Sequence, residues 1–109
     1  MANILSDDFG LTVTFVNRLG VTESAGMRWN EIDRIVAYKR DIIMYDLICI
    51  AIADKNSSFE LTEDMEGWDE VLRALSACLP GMPEYSAWWE TVAKPAFATN
   101  QLVLFARQA

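Results

Sequence analysis

The chain has 109 residues, of which 52% are hydrophobic, and 16 acidic against 9 basic side chains give a net charge of −7. This length fits one domain spanning residues 1–109, and the hydrophobic content argues against a disordered protein. The acidic balance repels phosphate groups, so we expect neither nucleic acid nor a membrane as partner. We expect a protein partner, for which a basic surface would be complementary, and a homodimer stays open.

The chain contains Cys49, Cys78 and no histidine. Two thiols cannot complete a zinc site, and a Ser–His or Cys–His nucleophile is excluded. We therefore predict no catalytic residue, no cofactor and no metal site, with both thiols reduced. Residues 1–5 lack the pattern of a signal peptide, and the apolar run at 47–53 is far shorter than the roughly 20 residues of a spanning helix. We expect a cytoplasmic protein.

The first half of the chain is typical of β-structure. Alternating or β-branched segments predict strands over residues 9–15, 21–23, 27–29, 32–40, 47–53 and 59–62. Turn-forming residues at 17–20 and 54–57 join hairpins. A helix is also compatible with residues 32–40, and their β-branched content favours a strand. Residues 47–53 are apolar on both faces, which predicts a central strand covered on both sides.

Beyond residue 63 the apolar period lengthens to that of helices. A first helical stripe consists of Trp68, Val71, Leu72, Leu75 and Leu79, and a second of Tyr85, Trp88, Trp89 and Val92. Pro80 and Gly81 end the first helix, the residue before Pro95 ends the second, and residues 102–106 alternate as a last strand. We predict an α+β fold: a curved antiparallel sheet of five to six strands with both helices packed on it.

Four charged residues flank one hairpin loop: Lys39, Arg40, Asp41 and Asp46. One interpretation is a charged rim that contacts a partner. The other is a solvated hairpin end whose charges discourage edge pairing. We include all four among the candidate partner-binding residues.

Trp88 and Trp89 complete the candidate partner-binding set. Successive helical residues point about 100° apart, so the two rings cannot both face inward. The exposed one is the better candidate for a contact surface, whereas a buried one belongs to the core. Residues 60–70 contain six acids and no base, which fits compensation of a helix dipole or a basic partner but not the spacing of a calcium loop.

Five segments together resemble a group of short bacterial proteins. They are Trp29-x-x-Ile32, residues 37–41 (A-Y-K-R-D), residues 46–49 (D-L-I-C), Glu63-x-Met65-x-Gly67-Trp68 and residues 95–100 (P-A-F-A-T-N). This resemblance implies no particular activity. The step from Trp29 and Ile32 into a strand is also similar to pleckstrin-homology-like domains, which implies a curved sheet.

Three functional hypotheses follow from the sequence. The first is a non-catalytic protein-interaction module, and the second is an immunity or antitoxin-like protein that neutralises a basic toxin. The third is a small-molecule binder or an enzyme that uses carboxylates, because acidic residues are abundant. A deep pocket holding a carboxyl group of raised pKa would favour the third.

Overall fold

The computed structural model describes residues 2–41, 46–94 and 101–107. Their elements, in chain order, are β1 (Asn3–Ser6), β2 (Gly10–Val16), β3 (Thr22–Arg28), a 3-10 helix (Trp29–Glu31), β4 (Arg34–Asp41), β5 (Asp46–Ala53), β6 (Ser58–Thr62), α1 (Trp68–Cys78), α2 (Tyr85–Ala93) and β7 (Leu102–Ala106). This order confirms the α+β class, with both helices in the C-terminal half of the chain.

The described strands form two antiparallel sheets where the sequence predicts one. The first has the order β1-β2-β3 and the second the order β6-β5-β4-β7, which makes seven strands instead of five to six. The 3-10 helix at Trp29–Glu31 separates the two sheets along the chain. β3 is one strand rather than the two short segments expected, and β1 was not predicted because four residues are too few to show an alternation.

One face of each sheet and both helices enclose a single hydrophobic core. In the first sheet Ile4 lies opposite Val13, and Met27 opposite Leu11. The second sheet and α1 supply the other main side chains of this core, among them Ile35, Ile48, Ile50, Ile52, Leu61, Trp68, Val71, Leu72 and Leu75. α1 contacts β1, and α2 contacts β4 and β5. The predicted helical stripe of α1 is therefore the side that faces the core.

β5 is one of the two interior strands of the second sheet, beside β4, and this agrees with the central position that its apolar pattern predicts. Its residues Leu47, Ile48, Cys49 and Ile50 are all buried, so both of its faces are covered over this stretch. No helix within the described ranges combines the length and the apolar content that crossing a membrane requires.

Candidate functional site

Lys39 lies in the interior, although it was predicted at the protein surface. Only 2% of the residue is exposed. Its Nζ donates a hydrogen bond to the Ala93 carbonyl oxygen at 2.7 Å and lies 3.3 Å from Asp46 Oδ2. These contacts join β4, β5 and the end of α2, so the structure gives Lys39 a role in packing and removes it from the predicted contact surface. The sequence carried the signal: Lys39 has the same strand parity as Ile35 and Ala37, which are buried.

Arg40 lies on the other face of β4 and is exposed. Its guanidinium donates a hydrogen bond to Glu60 Oε1 at 2.8 Å, and the Tyr38 hydroxyl donates one to the same carboxylate. Asp41 ends β4, and its side chain lies outside the described part of the chain. The four charged residues therefore do not form one rim: Lys39 and Asp46 make an interior pair, and Arg40 belongs to a cross-strand pair.

Trp88 and Trp89 separate as the helical rotation requires. Trp88 is 2% exposed and Trp89 is 37% exposed. The ring of Trp88 packs edge-on against Tyr85 at 4.9 Å, and Tyr85 in turn contacts Trp68 edge-on at 6.2 Å. Trp88 is thus part of the core, and Trp89 is the member of the pair that a partner can reach.

The densest exposed apolar group lies elsewhere, at the end of the β2–β3 hairpin. We call residues 15–22 the tip hairpin. Within it Leu19 is 86% exposed, Val21 54%, Val16 51% and Phe15 37%. The alternation in β2 predicts a half-buried strand up to Phe15, and no sequence signal marked the turn as apolar contact surface, because its Asn and Gly identify it only as a turn.

The tip hairpin is exposed because β1 is shorter than its neighbours. β1 pairs with β2 from Ser6–Leu11 to Asn3–Thr14, whereas β3 continues to pair with β2 at Phe15–Glu23 and Val16–Thr22. Among the described residues, these last two pairs have no third strand beside them. The hairpin therefore projects beyond the sheet as a two-stranded arm, and Phe15 continues the core-facing side of β2 past the end of the core.

Asn17 holds the turn of the tip hairpin in one conformation. Its Oδ1 accepts hydrogen bonds from the backbone N–H groups of Leu19 at 2.9 Å and Val21 at 3.1 Å. The Asn17 N–H donates to the Val21 carbonyl at 2.9 Å, and the Gly20 N–H donates to the Asn17 carbonyl at 3.0 Å. Four hydrogen bonds fix a turn of five residues, so the apolar side chains are presented on a preorganised backbone.

An acidic segment passes beside β1, on the side away from β2. The Ile4 N–H donates to the Glu66 carbonyl at 2.8 Å, and Asn3 forms a parallel bridge with Glu66. Because Asn3 also pairs with Thr14, Glu66 lies about 10 Å, or two strand spacings, from the start of the arm. We define the acidic flank as the exposed residues of this segment: Asp64, Glu66, Asp69 and Glu70.

An open polar cleft lies between the 3-10 helix and the β5–β6 turn. Two of its charged side chains, those of Arg107 and Asp54, have structural partners. The guanidinium of Arg107 donates to the carbonyl oxygens of Ile32 at 2.9 Å and Trp29 at 3.1 Å. The backbone N–H groups of Asn56 and Ser57 donate to the Asp54 carboxylate and lower its pKa, which stabilises the ionised form rather than a proton donor.

Within the described ranges, no three cysteine, aspartate or glutamate side chains form a group able to hold a metal ion. No protein-family model, no curated protein and no solved structure matches this chain. The resemblances to short bacterial proteins and to pleckstrin-homology-like domains stay predictions. One of the resembling segments, residues 95–100, lies outside the described residues.

Proposed function

We propose that this protein is a non-catalytic protein-interaction module of the cytoplasm and that the tip hairpin is its contact surface. The observation that carries the proposal is the exposure of Phe15, Val16, Leu19 and Val21 on one projecting arm. Exposed apolar groups of this density mark interaction sites, and hairpin turns are otherwise rich in polar residues. The free thiols of Cys49 and Cys78 support a reducing compartment.

The physical gain from covering the arm is large enough for specific binding. Removing one leucine or valine side chain from water contributes roughly 1.5–3 kcal/mol. Leu19 alone therefore changes a dissociation constant by about 10- to 100-fold if a partner buries it. Because Asn17 already fixes the turn, little conformational entropy is lost when the partner binds.

The test is capture from a lysate of the host with the wild-type chain and with the variant Leu19→Ser/Val21→Thr. The matched control is Val103→Thr, since Val103 is also half-exposed but lies on β7 in the other sheet. We expect a specific protein to bind the wild-type chain and the control but not the tip variant, and to do so again with purified components. Capture of the same proteins by all three chains would contradict the proposal, provided that thermal melting shows them equally folded.

A further inference from the structure

We propose that the partner is a basic protein, whose apolar depression receives the tip hairpin while lysine and arginine residues around it pair with the acidic flank. This inference rests on the proposed function and specifies the chemistry of the partner. It follows from the juxtaposition of two surfaces that the fold brings together: the apolar arm of β2 and β3, and the exposed carboxylates after β6. They are far apart in the sequence, and β1 joins them by pairing with both.

The position of the acidic flank determines which partner fits. Its residue Glu66 lies about two strand spacings from Thr14, at the base of the arm, a separation close to the Debye length of roughly 8–10 Å at physiological salt. A partner that covers the arm down to its base at Phe15 therefore places its own rim within the field of Glu66. Basic residues on that rim are attracted, which accelerates association, whereas acidic residues are repelled.

The same field distinguishes a protein from other occupants of an apolar arm. A hydrophobic loop can also insert into a bilayer, but the anionic lipids of a cytoplasmic surface would be repelled by the flank and by the net charge of −7. Nucleic acid is disfavoured for the same reason. A basic toxin, the partner in the antitoxin-like hypothesis, belongs to the class of partner that the flank selects.

Two other acids of the segment, Glu60 and Glu63, are engaged within the fold and do not belong to the flank, in which Asp64 also accepts a hydrogen bond from the Thr62 hydroxyl. Glu63 Oε1 accepts the Ile48 N–H at 3.0 Å, and Glu60 pairs with Arg40. Glu66 and Glu70 are exposed, and Glu66 is held at β1 through its backbone rather than its carboxylate. Glu66→Gln/Glu70→Gln therefore removes two charges of the acidic flank with little change to the packing.

The test measures binding of a fluorescent amphipathic helical peptide built from leucine and lysine, by anisotropy. A peptide with the same leucine pattern and glutamate in place of lysine is the first control. The second is Glu84→Gln/Glu90→Gln, which changes the net charge equally at the N-cap and within α2, a helix that contacts the other sheet. Vesicles of phosphatidylserine and phosphatidylcholine test the membrane alternative by co-sedimentation.

We expect the lysine peptide to bind the wild-type chain, Leu19→Ser/Val21→Thr to weaken binding at least about 10-fold, and Glu66→Gln/Glu70→Gln to weaken it about 3- to 10-fold. The α2 control should stay within about 2-fold of the wild type. If the tip variant loses binding while the flank variant equals the α2 control, the proposed function stands and the inference fails. If the tip variant binds like the wild type, both fail. Three other results also overturn the inference. They are equal binding of the glutamate peptide, no binding of the lysine peptide up to its solubility limit, and vesicle binding that depends on the tip hairpin.

Discussion

Gly67 is the residue through which the acidic flank and β1 come together, and replacing it by alanine should be costly. Its φ is +92°, in the left-handed region, where a side chain costs roughly 1–2 kcal/mol. A Cβ at this position would also lie 2.1 Å from the Ile4 carbonyl oxygen, so β1 must move away. That movement weakens the hydrogen bond from the Ile4 N–H to the Glu66 carbonyl oxygen, which is worth about 0.5–1.5 kcal/mol. It also uncovers the Ile4 side chain, of which only 2% is exposed in the wild-type chain.

Exposing a side chain such as that of Ile4 costs a further 1.5–3 kcal/mol or so. We therefore expect Gly67→Ala to lower the free energy of unfolding by about 3–6 kcal/mol. Gly81→Ala is the matched control, because Gly81 has a φ of +84° and no atom within 4 Å of an added Cβ. Gly81→Ala should lower the free energy of unfolding only by the cost of the left-handed backbone, about 1–2 kcal/mol.

Urea unfolding of the three chains, followed by tryptophan fluorescence and circular dichroism, measures both values. Amide hydrogen exchange adds a local readout, since movement of β1 should reduce the protection of the Ile4 amide in Gly67→Ala and leave it unchanged in Gly81→Ala. Equal losses of stability in the two variants would refute the steric part of the reasoning, and unchanged protection of Ile4 would refute the movement of β1.

Three further predictions concern other parts of the structure. Trp88→Ala should lower the free energy of unfolding by about 3–5 kcal/mol and Trp89→Ala by less than about 1 kcal/mol in the same urea assay, and a reversed order would contradict the packing of α2. Because the pKa of Asp54 is lowered in the folded state, its contribution to stability is present above its unfolded pKa of about 3.9 and is lost as the pH falls through the folded value. Acid unfolding of Asp54→Asn should show less of this loss, and an unchanged profile would contradict it. Burial raises the pKa of Cys49 to about 12, so Ellman's reagent near pH 8 should titrate Cys78 alone in the folded chain and both thiols in urea; two fast thiols in the folded chain would count against the burial of Cys49.

Local patterns in the sequence were sufficient to predict the elements that bury one continuous helical stripe or one apolar run of residues. The period of the α1 stripe, the apolar run of β5 and the β-branched content of β4 each predicted the element that forms. β1 was missed because a four-residue strand owes its structure to partners far along the chain, at Thr14 and Glu66. The division into two sheets depends in the same way on pairings between distant segments, which no local period encodes.

Lys39 shows where the prediction of a surface position failed. Charge suggested a surface residue, but its strand parity placed it on the inner side of β4, where the Ala93 carbonyl and Asp46 offset the loss of hydration. A lysine this well satisfied needs no partner from outside. Charge alone was therefore a poor guide to which residues of β4 are exposed, and strand parity was the stronger of the two signals.

The apolar residues of the tip hairpin are difficult to explain by folding. A side chain that is 86% exposed, as in Leu19, gains almost nothing from the core, so its contribution to the free energy of unfolding is close to zero. The turn itself depends on Asn17 and on backbone hydrogen bonds, which a polar residue at position 19 or 21 would leave in place. Stability therefore gives no reason to prefer leucine to serine at position 19, and only a small one to prefer valine to threonine at position 21, which is 54% exposed. Burial against a partner does give one, and for that reason the variant Leu19→Ser/Val21→Thr should fold like the wild-type chain and differ from it in binding alone.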